Sequence, residues 1–307
     1  GLNDGRDTAV VMATNFGSIG VLEKQLGAEI MPGIGQFGFT NVGDQIAAMF
    51  GCGGPRSCLS LSCSSGAASI GYGMELIRSG QTSRVIAGGY DAISKFAWAG
   101  LGVLRTMTAD KIRPFDVKRS GTLFSEGAGV LVLESAESVV ERGGVPLAEV
   151  AGFGCNNNAF HMTAPPKEGQ GLADAMRLAL ADAGISPEQI DHVNTHGTGT
   201  VYNDVTETAA IRAVLGKHAE GVPLTSIKSM IGHTMGAAGA LEAIASVMTI
   251  GTGIIPPAIN LDDQDPACDL PVVSPTALER EVRTVLTNSS GIGGNNAALV
   301  LRASLHP

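Results

Sequence analysis

Aromatic side chains are scarce: nine Phe, three Tyr and one Trp make up 4% of 307 residues. A core built on large rings is therefore excluded. With 42 glycines the chain must pack small residues closely and use many special backbone positions. Cysteines number five, odd and without a CxxC pair, so they do not form a disulfide framework. They point to a reducing compartment, and a cytoplasmic protein is expected. Positive charge is in deficit, with 20 Lys and Arg against 29 Asp and Glu, and the formal charge of -9 argues against a general nucleic-acid binder. Long apolar runs are lacking too. The best candidate, around Ala237 to Ile250, is short and carries Glu242, so no membrane span is expected. No signal-peptide pattern opens the chain at Gly1, where GLNDGRDTAVV reads as a turn entering a strand.

What is present centres on Cys58 to Gly80, CLSLSCSSGAASIGYGMELIRSG. Leu59, Leu61 and Cys63 alternate with Ser60 and Ser62, the period of a strand. Ala67, Ile70, Met74 and Ile77 then follow helical spacing, and Gly80 is a natural stop. Cys63 thus sits where a strand becomes a helix, followed by small residues that let a substrate come close. A thiol there faces unpaired amides and the positive end of a helix dipole, which favours the nucleophilic thiolate. A small buried core cysteine fits the same context.

Strands and helices alternate twice over. In the first half, strands are expected at Thr8–Thr14, Arg84–Tyr90 and Gly129–Glu134, with helices at Val21–Gln25 and Asn41–Phe50. A charged helix near Glu134–Val145 separates the halves, placed at residues 1–140 and 141–307. The second half gives strands at Leu147–Gly152, Ile190–Thr195, Pro223–Ile227, Thr284–Asn288 and Ala297–Arg302. Its helices fall at Gly171–Ala183, Asp204–Leu215 and Gly236–Ile250. This is the rhythm of an α/β protein with covered sheets. GIGQFG, Gly33 to Gly38, fits a dinucleotide fingerprint in spacing only. Pro32 precedes it and no acidic residue follows at the required distance, so it is read as a glycine-rich loop.

Three polar motifs fall at the ends of predicted strands, where α/β proteins place their chemistry. They are NTHGTGT (Asn194–Thr200), KSMIGHTMGAAG (Lys228–Gly239) and NSSGIGGNNA (Asn288–Ala297). His192 and His196 have the spacing of a metal pair. On a strand, however, they lie far apart and lack a third ligand, so no metal is expected. His161, His218 and His306 have no comparable setting.

Cys63 in SCSSGA, His196 in THGTGT, Lys228 and His233 in KSMIGHTMGAAG, and the GIGG turn together resemble the β-ketoacyl-[acyl-carrier-protein] synthases, the elongating synthase II type above all. RPFDVKRSGTLFSEGAGVLVLE and AFHMTAPP extend the resemblance, which runs in order from Thr8 to the C-terminus. It implies a thiolase-like fold, two similar α/β halves in a five-layer α-β-α-β-α body. A homodimer is implied, in which the strand before the nucleophile pairs across the two-fold axis; a heterodimer with another ketosynthase-like subunit is the other possibility.

The implied reaction is a decarboxylative Claisen condensation. Cys63 takes the acyl group, His196 and His233 stabilise the malonyl-derived enolate, and Lys228 organises the second histidine. The amides of Cys63 and Ile292 form the oxyanion hole, while Thr198, Thr200, Ile292 and Gly293 contact substrate. Asn194, Glu207, Glu242, Thr287 and Asn288 match a buried network or monovalent-cation site, with Glu207 and Glu242 supporting the lysine. Asp116 and Glu126 are scaffold groups, and Phe160, His161 and Met162 line or support the acyl pocket. No cofactor is implied; the substrates ride on the phosphopantetheine of an acyl carrier protein, the expected partner.

Some residues depart from the family pattern. The usual GFGGTN after NSF is here GIGGNN after NSS, so a gating phenylalanine is replaced by Ile292 and a threonine by Asn295. Val201, Tyr202 and Asn203 replace the usual proline-glycine turn at the pantetheine mouth. An altered acyl selectivity of polyketide or polyene type is therefore expected. The resemblance also implies a family segment ahead of Gly1, normally supplying a first strand. Two alternatives stand beside the condensing enzyme. A non-catalytic chain-length partner would generally lose the nucleophile, which is present here. A degradative thiolase would carry a second cysteine in a glycine-rich turn, whereas Cys268 lies in DQDPACDLP.

Overall fold

The computed structural model describes residues 5–26 and 38–304. The GIGQFG loop, Gly38 apart, lies outside them. β1 (Thr8–Ala13) is buried along its whole length, as expected of a strand covered on both faces. α1 (Ile19–Gln25) and α2 (Asn41–Phe50) follow, α2 ending on Gly51 in the left-handed region. β2 (Arg56–Leu59), α3 (Ser65–Arg78), β3 (Arg84–Asp91), α4 (Lys95–Val103), β4 (Gly127–Glu134) and α5 (Ala136–Glu141) come next. The chain continues through β5 (Glu149–Asn157), α6 (Gln170–Ala183), β6 (His192–Asn194), α7 (Asn203–Leu215), β7 (Leu224–Thr225) and α8 (Lys228–Ile231). It closes with α9 (Ala238–Thr252), a small hairpin of β8 (Ile254–Ile255) and β9 (Leu278–Glu279), then β10 (Thr284–Ser290) and β11 (Asn295–Arg302).

The first sheet has the order β2-β1-β3-β4, with β4 antiparallel to three parallel strands. The second has the order β5-β11-β10-β6-β7, in which β10, β6 and β7 are parallel and β11 is antiparallel to both β10 and β5. α3 and α9 lie between the sheets. One core joins Ala9, Val11 and Val85 of the first sheet to Ile70, Ala240, Leu299 and Leu301. α2 covers the outer face of the first sheet through Ala47 against Val10, Met12 and Ile86. α6 and α7 cover the second through Met176 and Ile211 against Val193, Leu286 and Val300. The result is the five-layer α-β-α-β-α arrangement.

The small residues have a specific use here. A Cβ at Gly66 would lie 2.6 Å from Ala240 N, and one at Gly239 would lie 2.5 Å from Ala67 N. The central helices touch backbone to backbone, which larger side chains would prevent.

Several expectations need correction. β2 stops at Leu59 rather than running to Cys63. Ser65 Oγ accepts from Leu61 N at 2.7 Å and Ser64 Oγ donates to Leu61 O at 2.7 Å, so serine side chains take the groups a ladder would need. β5 is longer than expected, and β6 and β7 are shorter. α4 had no sequence forecast; its glycines hide the periodicity, and Ser94 caps it by accepting from Ala97 N. Met235–Thr252 is, at 18 residues and a mean hydropathy of 1.3, long and apolar enough to cross a membrane by length and composition. More than half of it is buried, and it packs between two sheets with Glu242 inside. It serves as the core helix of this fold.

Candidate active site

Cys63 is delivered by a tight elbow. Ser62 adopts φ 53°, rare for a residue with a side chain, and Ser62 Oγ donates to Ile292 O at 2.7 Å. Cys63 follows, 6% exposed, just outside the first turn of α3. Its thiol is pushed up to about 11: burial raises it most, the Lys228 charge and the Ile292 N–H lower it, and Asp91 and Glu242 raise it again. The expected thiolate is thus overturned, because desolvation outweighs the Lys228 charge and the Ile292 N–H.

His196 follows β6. Its backbone N–H and that of Gly197 donate to the two oxygens of buried Glu207, at 2.6 and 2.8 Å. Burial pushes the Glu207 carboxyl up to about 7, against those amides. Lys228 Nζ stands 3.3 Å from His196 Nδ1 and pairs with the fully buried Glu242, whose other oxygen accepts from Ser289 Oγ at 3.0 Å. His233 follows α8, and its Nδ1 accepts from Met235 N at 3.2 Å. Burial first, then the Lys228 charge, holds both histidines well below their ordinary range. They are therefore neutral. Because donors occupy both Nδ1 atoms, each ring keeps its proton on Nε2 and presents an N–H to the cavity. The rings meet edge to face with centroids 5.4 Å apart, and the Phe124 ring lies 5.4 Å from that of His233.

Cys63 Sγ and one ring nitrogen from each histidine lie within 4.8 Å of one another. Those residue types could hold a metal. A ligating histidine, however, donates its remote N–H to an acceptor, and here both remote nitrogens face donors. The trio is built to donate hydrogen bonds.

The cavity that Cys63 helps line is also lined by Thr198, Thr200, Tyr202, Ser290, Ile292 and Asn296. Thr198 and Thr200 hydroxyls are 3.0 Å apart. Gly293, expected to touch substrate, does not line the cavity; it is exposed and donates to Met162 O at 2.7 Å. Phe160 and Met162, expected in the pocket, are 67% and 77% exposed, while His161 between them does line it. Lys228 meets the first histidine, His196, rather than the second. Glu207 supports the His196 loop, leaving Glu242 alone as the lysine's carboxylate.

Asn194 donates to Glu242 O at 3.0 Å, and Thr287 lies beside it in register. The Asn194 Oδ1 and both polar atoms of the Asn288 side chain are buried without a partner. Asp116 accepts three backbone N–H groups, from Lys118, Asp262 and Asp263, and Glu126 accepts from Ile93 N, as scaffold groups do. Cys268 is buried in its loop.

Residues 2–138 match the family described as "Beta-ketoacyl synthase, N-terminal domain", and residues 147–262 match "Beta-ketoacyl synthase, C-terminal domain". The chain belongs to the β-ketoacyl synthase family. It is 36% identical to 3-oxoacyl-[acyl-carrier-protein] synthase 2 of Synechocystis, over 96% of this chain and 75% of that protein. It is 39% identical to the tetracenomycin polyketide synthase ketoacyl synthase alpha subunit of Streptomyces glaucescens, over 98% and 72%. Against Rhizobium meliloti nodulation protein E the chain spans 64% of the relative's length at 42% identity. Among solved structures, the ishigamide ketosynthase/chain length factor superposes with a TM-score of 0.92 at 40% identity, covering 98% of this chain and 76% of that one. A type II polyketide ketosynthase in complex with its acyl-carrier protein superposes with a TM-score of 0.93 at 33% identity, covering 98% and 79%. The thiolase-like fold expected from the motifs is the fold observed.

Sequence reading of this chain missed Asp91. At the end of β3 and 3% exposed, it accepts from Thr14 Oγ1 at 2.6 Å, from Asn15 N and Phe16 N at about 3 Å, and from Gly236 N at 2.7 Å. It ties the loop after β1 to the backbone just beyond His233. Its place at the carboxyl end of a parallel strand was the available signal.

Proposed function

We propose that this chain is a catalytic ketosynthase, condensing an acyl group held on Cys63 with a malonyl unit carried by acyl carrier protein. The convergence of the Cys63 thiol, two neutral Nε2–H donors and the Ile292 N–H on one cavity carries the reading. In the first step Cys63 sulfur attacks the carrier thioester, the carbon–sulfur bond to pantetheine breaks, and the thiol proton leaves with the pantetheine sulfur. The amides of Cys63 and Ile292 face the tetrahedral oxygen. In the second step the malonyl thioester loses carbon dioxide. Its electron pair becomes an enolate, whose oxygen receives the His196 and His233 N–H groups. The enolate carbon attacks acyl-Cys63, and the Cys63 sulfur leaves with a proton from solvent. Thr198 and Thr200 hold the pantetheine arm.

The acyl class is read as polyketide or polyene rather than saturated fatty acid, because Ile292 replaces a ring and Ser290 and Asn296 make the wall polar. No cofactor enters the scheme. A structural monovalent cation has carbonyl-type oxygens to meet at Asn194 and Asn288. The partners are a carrier protein and a second ketosynthase-like subunit, the same chain or a relative, paired along β2, an edge strand of the first sheet among the described residues. All five cysteines are free thiols, in keeping with a reducing, cytoplasmic setting.

The test is condensation of acyl and malonyl carrier-protein thioesters, read as β-ketoacyl product and released carbon dioxide. Product formation supports the reading; a folded protein giving none would leave the non-catalytic chain-length partner in its place. Ile292→Phe should shift the acyl profile, and an unchanged profile would remove the selectivity part of the proposal.

A further inference from the structure

Five asparagines surround the turn that carries Ile292: Asn156 to Asn158 at the end of β5, and Asn295 and Asn296 at the start of β11. The strands bring Asn157 opposite Asn295 and Asn156 opposite Asn296. Asn157 Nδ2 donates to Gly293 O at 2.8 Å and to Asn295 Oδ1 at 2.9 Å, while its Oδ1 accepts from Ala159 N at 2.7 Å. Buried Asn296 donates to Asn158 Oδ1 at 2.7 Å and to Asn156 Oδ1 at 3.0 Å, and accepts from Ser290 Oγ at 3.0 Å.

The backbone of the turn is held at nearly every group. Gly291 N donates to Asn295 O, Gly293 N to Met162 O and Gly294 N to Gly291 O, at 2.7, 2.7 and 3.0 Å. Ile292 O accepts from Ser62 Oγ and Gly294 O from Asn158 N, at 2.7 and 2.8 Å. Ile292 N is left over. It donates to no oxygen among the described residues and faces the Cys63 sulfur. The fit is tight, since a Cβ at Gly291 would lie 3.1 Å from Cys63 N.

We propose that this asparagine ladder is a clamp: it fixes the 291–294 turn and so aims the Ile292 N–H at Cys63, with Asn157 and Asn295 as positioning residues. An amide side chain suits the task because it donates twice and accepts through one short, stiff arm. A clamped turn holds the oxyanion donor in place before substrate arrives, which is where such donors gain their strength. Ile292 is then a fixed wall of the acyl cavity rather than a swinging one.

The proposal deepens the ketosynthase reading, and its test separates the two. The rate of Cys63 alkylation by iodoacetamide, located by peptide mass spectrometry, is measured against pH for wild type, Asn157→Leu and Asn295→Thr. Loosening the turn withdraws a donor from the thiolate, so the midpoint should rise. A rise of about one pKa unit would slow alkylation about tenfold near neutral pH. Acyl transfer from a carrier thioester should lose about tenfold in kcat with KM unchanged, less than the roughly 100-fold that removing an oxyanion donor outright costs. Folded variants with the wild-type midpoint and the wild-type acylation rate would overturn the clamp. If Asn157→Leu does not fold, Asn295→Thr decides. If the wild type transfers no acyl group, the ketosynthase reading fails, and the alkylation profile alone decides the clamp.

Discussion

The two halves of the molecule repeat one scaffold and differ in what they hang on it. β2, β1, β3 and β4 have the order and directions of β7, β6, β10 and β11. Equivalent strand ends lead into the site: β2 to Cys63 and β7 to Lys228 and His233, β1 to Asn15 and β6 to His196, β3 to Asp91 and β10 to Ser289 and the Ile292 turn. The first half thus supplies Cys63, the proposed nucleophile, and a carboxylate that gathers backbone donors. The second supplies the His196 and His233 N–H groups proposed to meet the substrate. A duplicated sheet brings its strand ends to one cleft, and chemistry divides between copies because each end is free to vary while the ladder is not. A second difference lies at the edge. β11 is covered by β5, whereas β4 pairs on one side only among the described residues and leaves Val130 and Val132 44% and 53% exposed.

The division of labour breaks first at the histidines. His196→Ala and His233→Ala should each lower condensation about 100-fold, the typical loss of one preorganised donor, while acylation of Cys63 stays within a few-fold of wild type. An equal loss in both steps, measured in separate acylation and condensation assays, would erase the distinction between halves. Next is the buried pair of the second half. Lys228→Met strands Glu242 and should cost about 3 kcal/mol in urea unfolding, most of it recovered in Lys228→Met/Glu242→Leu. A double variant no better than the single would contradict a pairwise origin.

Asp91→Asn turns an amide toward donors that need an acceptor, and should cost about 2 kcal/mol and loosen the joint between halves. Unchanged hydrogen exchange at Gly236 would argue that Asp91 does not couple them. The last effect is electrostatic. His192 is buried, donates Nδ1–H to Pro223 O, and is pushed down to about 4 by burial. The unfolded chain protonates near pH 6.5 and the folded one does not. His192 stability is therefore intact above pH 6.5 and lost as the pH falls toward 4, by about 1 kcal/mol over the first pH unit. His192→Gln should flatten that slope; an unaltered slope would assign it to other groups.

Much of this was legible in sequence. The long elements, α2, α3, α6, α7 and β3, follow from periodicity and glycine stops, and the Cys63, His196 and His233 motifs fall at strand ends as read. What escaped depends on three-dimensional partners. The Cys63 elbow looked like a strand because Leu59, Leu61 and Cys63 alternate, yet serine hydroxyls intercept the ladder. The thiol looked activated because helix position is visible in sequence and desolvation is not. Lys228 could not be assigned to one histidine without coordinates. Asp91 ends an apolar strand, and its donors, Thr14 to Phe16 and Gly236, lie 75 to 145 residues away in the chain.

The most direct test of the divided site is intact-protein mass spectrometry after incubation with an acyl carrier-protein thioester. Wild type, His196→Ala and His233→Ala should each gain the acyl mass, and Cys63→Ala should gain none. Acyl mass on folded Cys63→Ala, or its absence from folded wild type with every acyl chain offered, would contradict Cys63 as the nucleophile of this site.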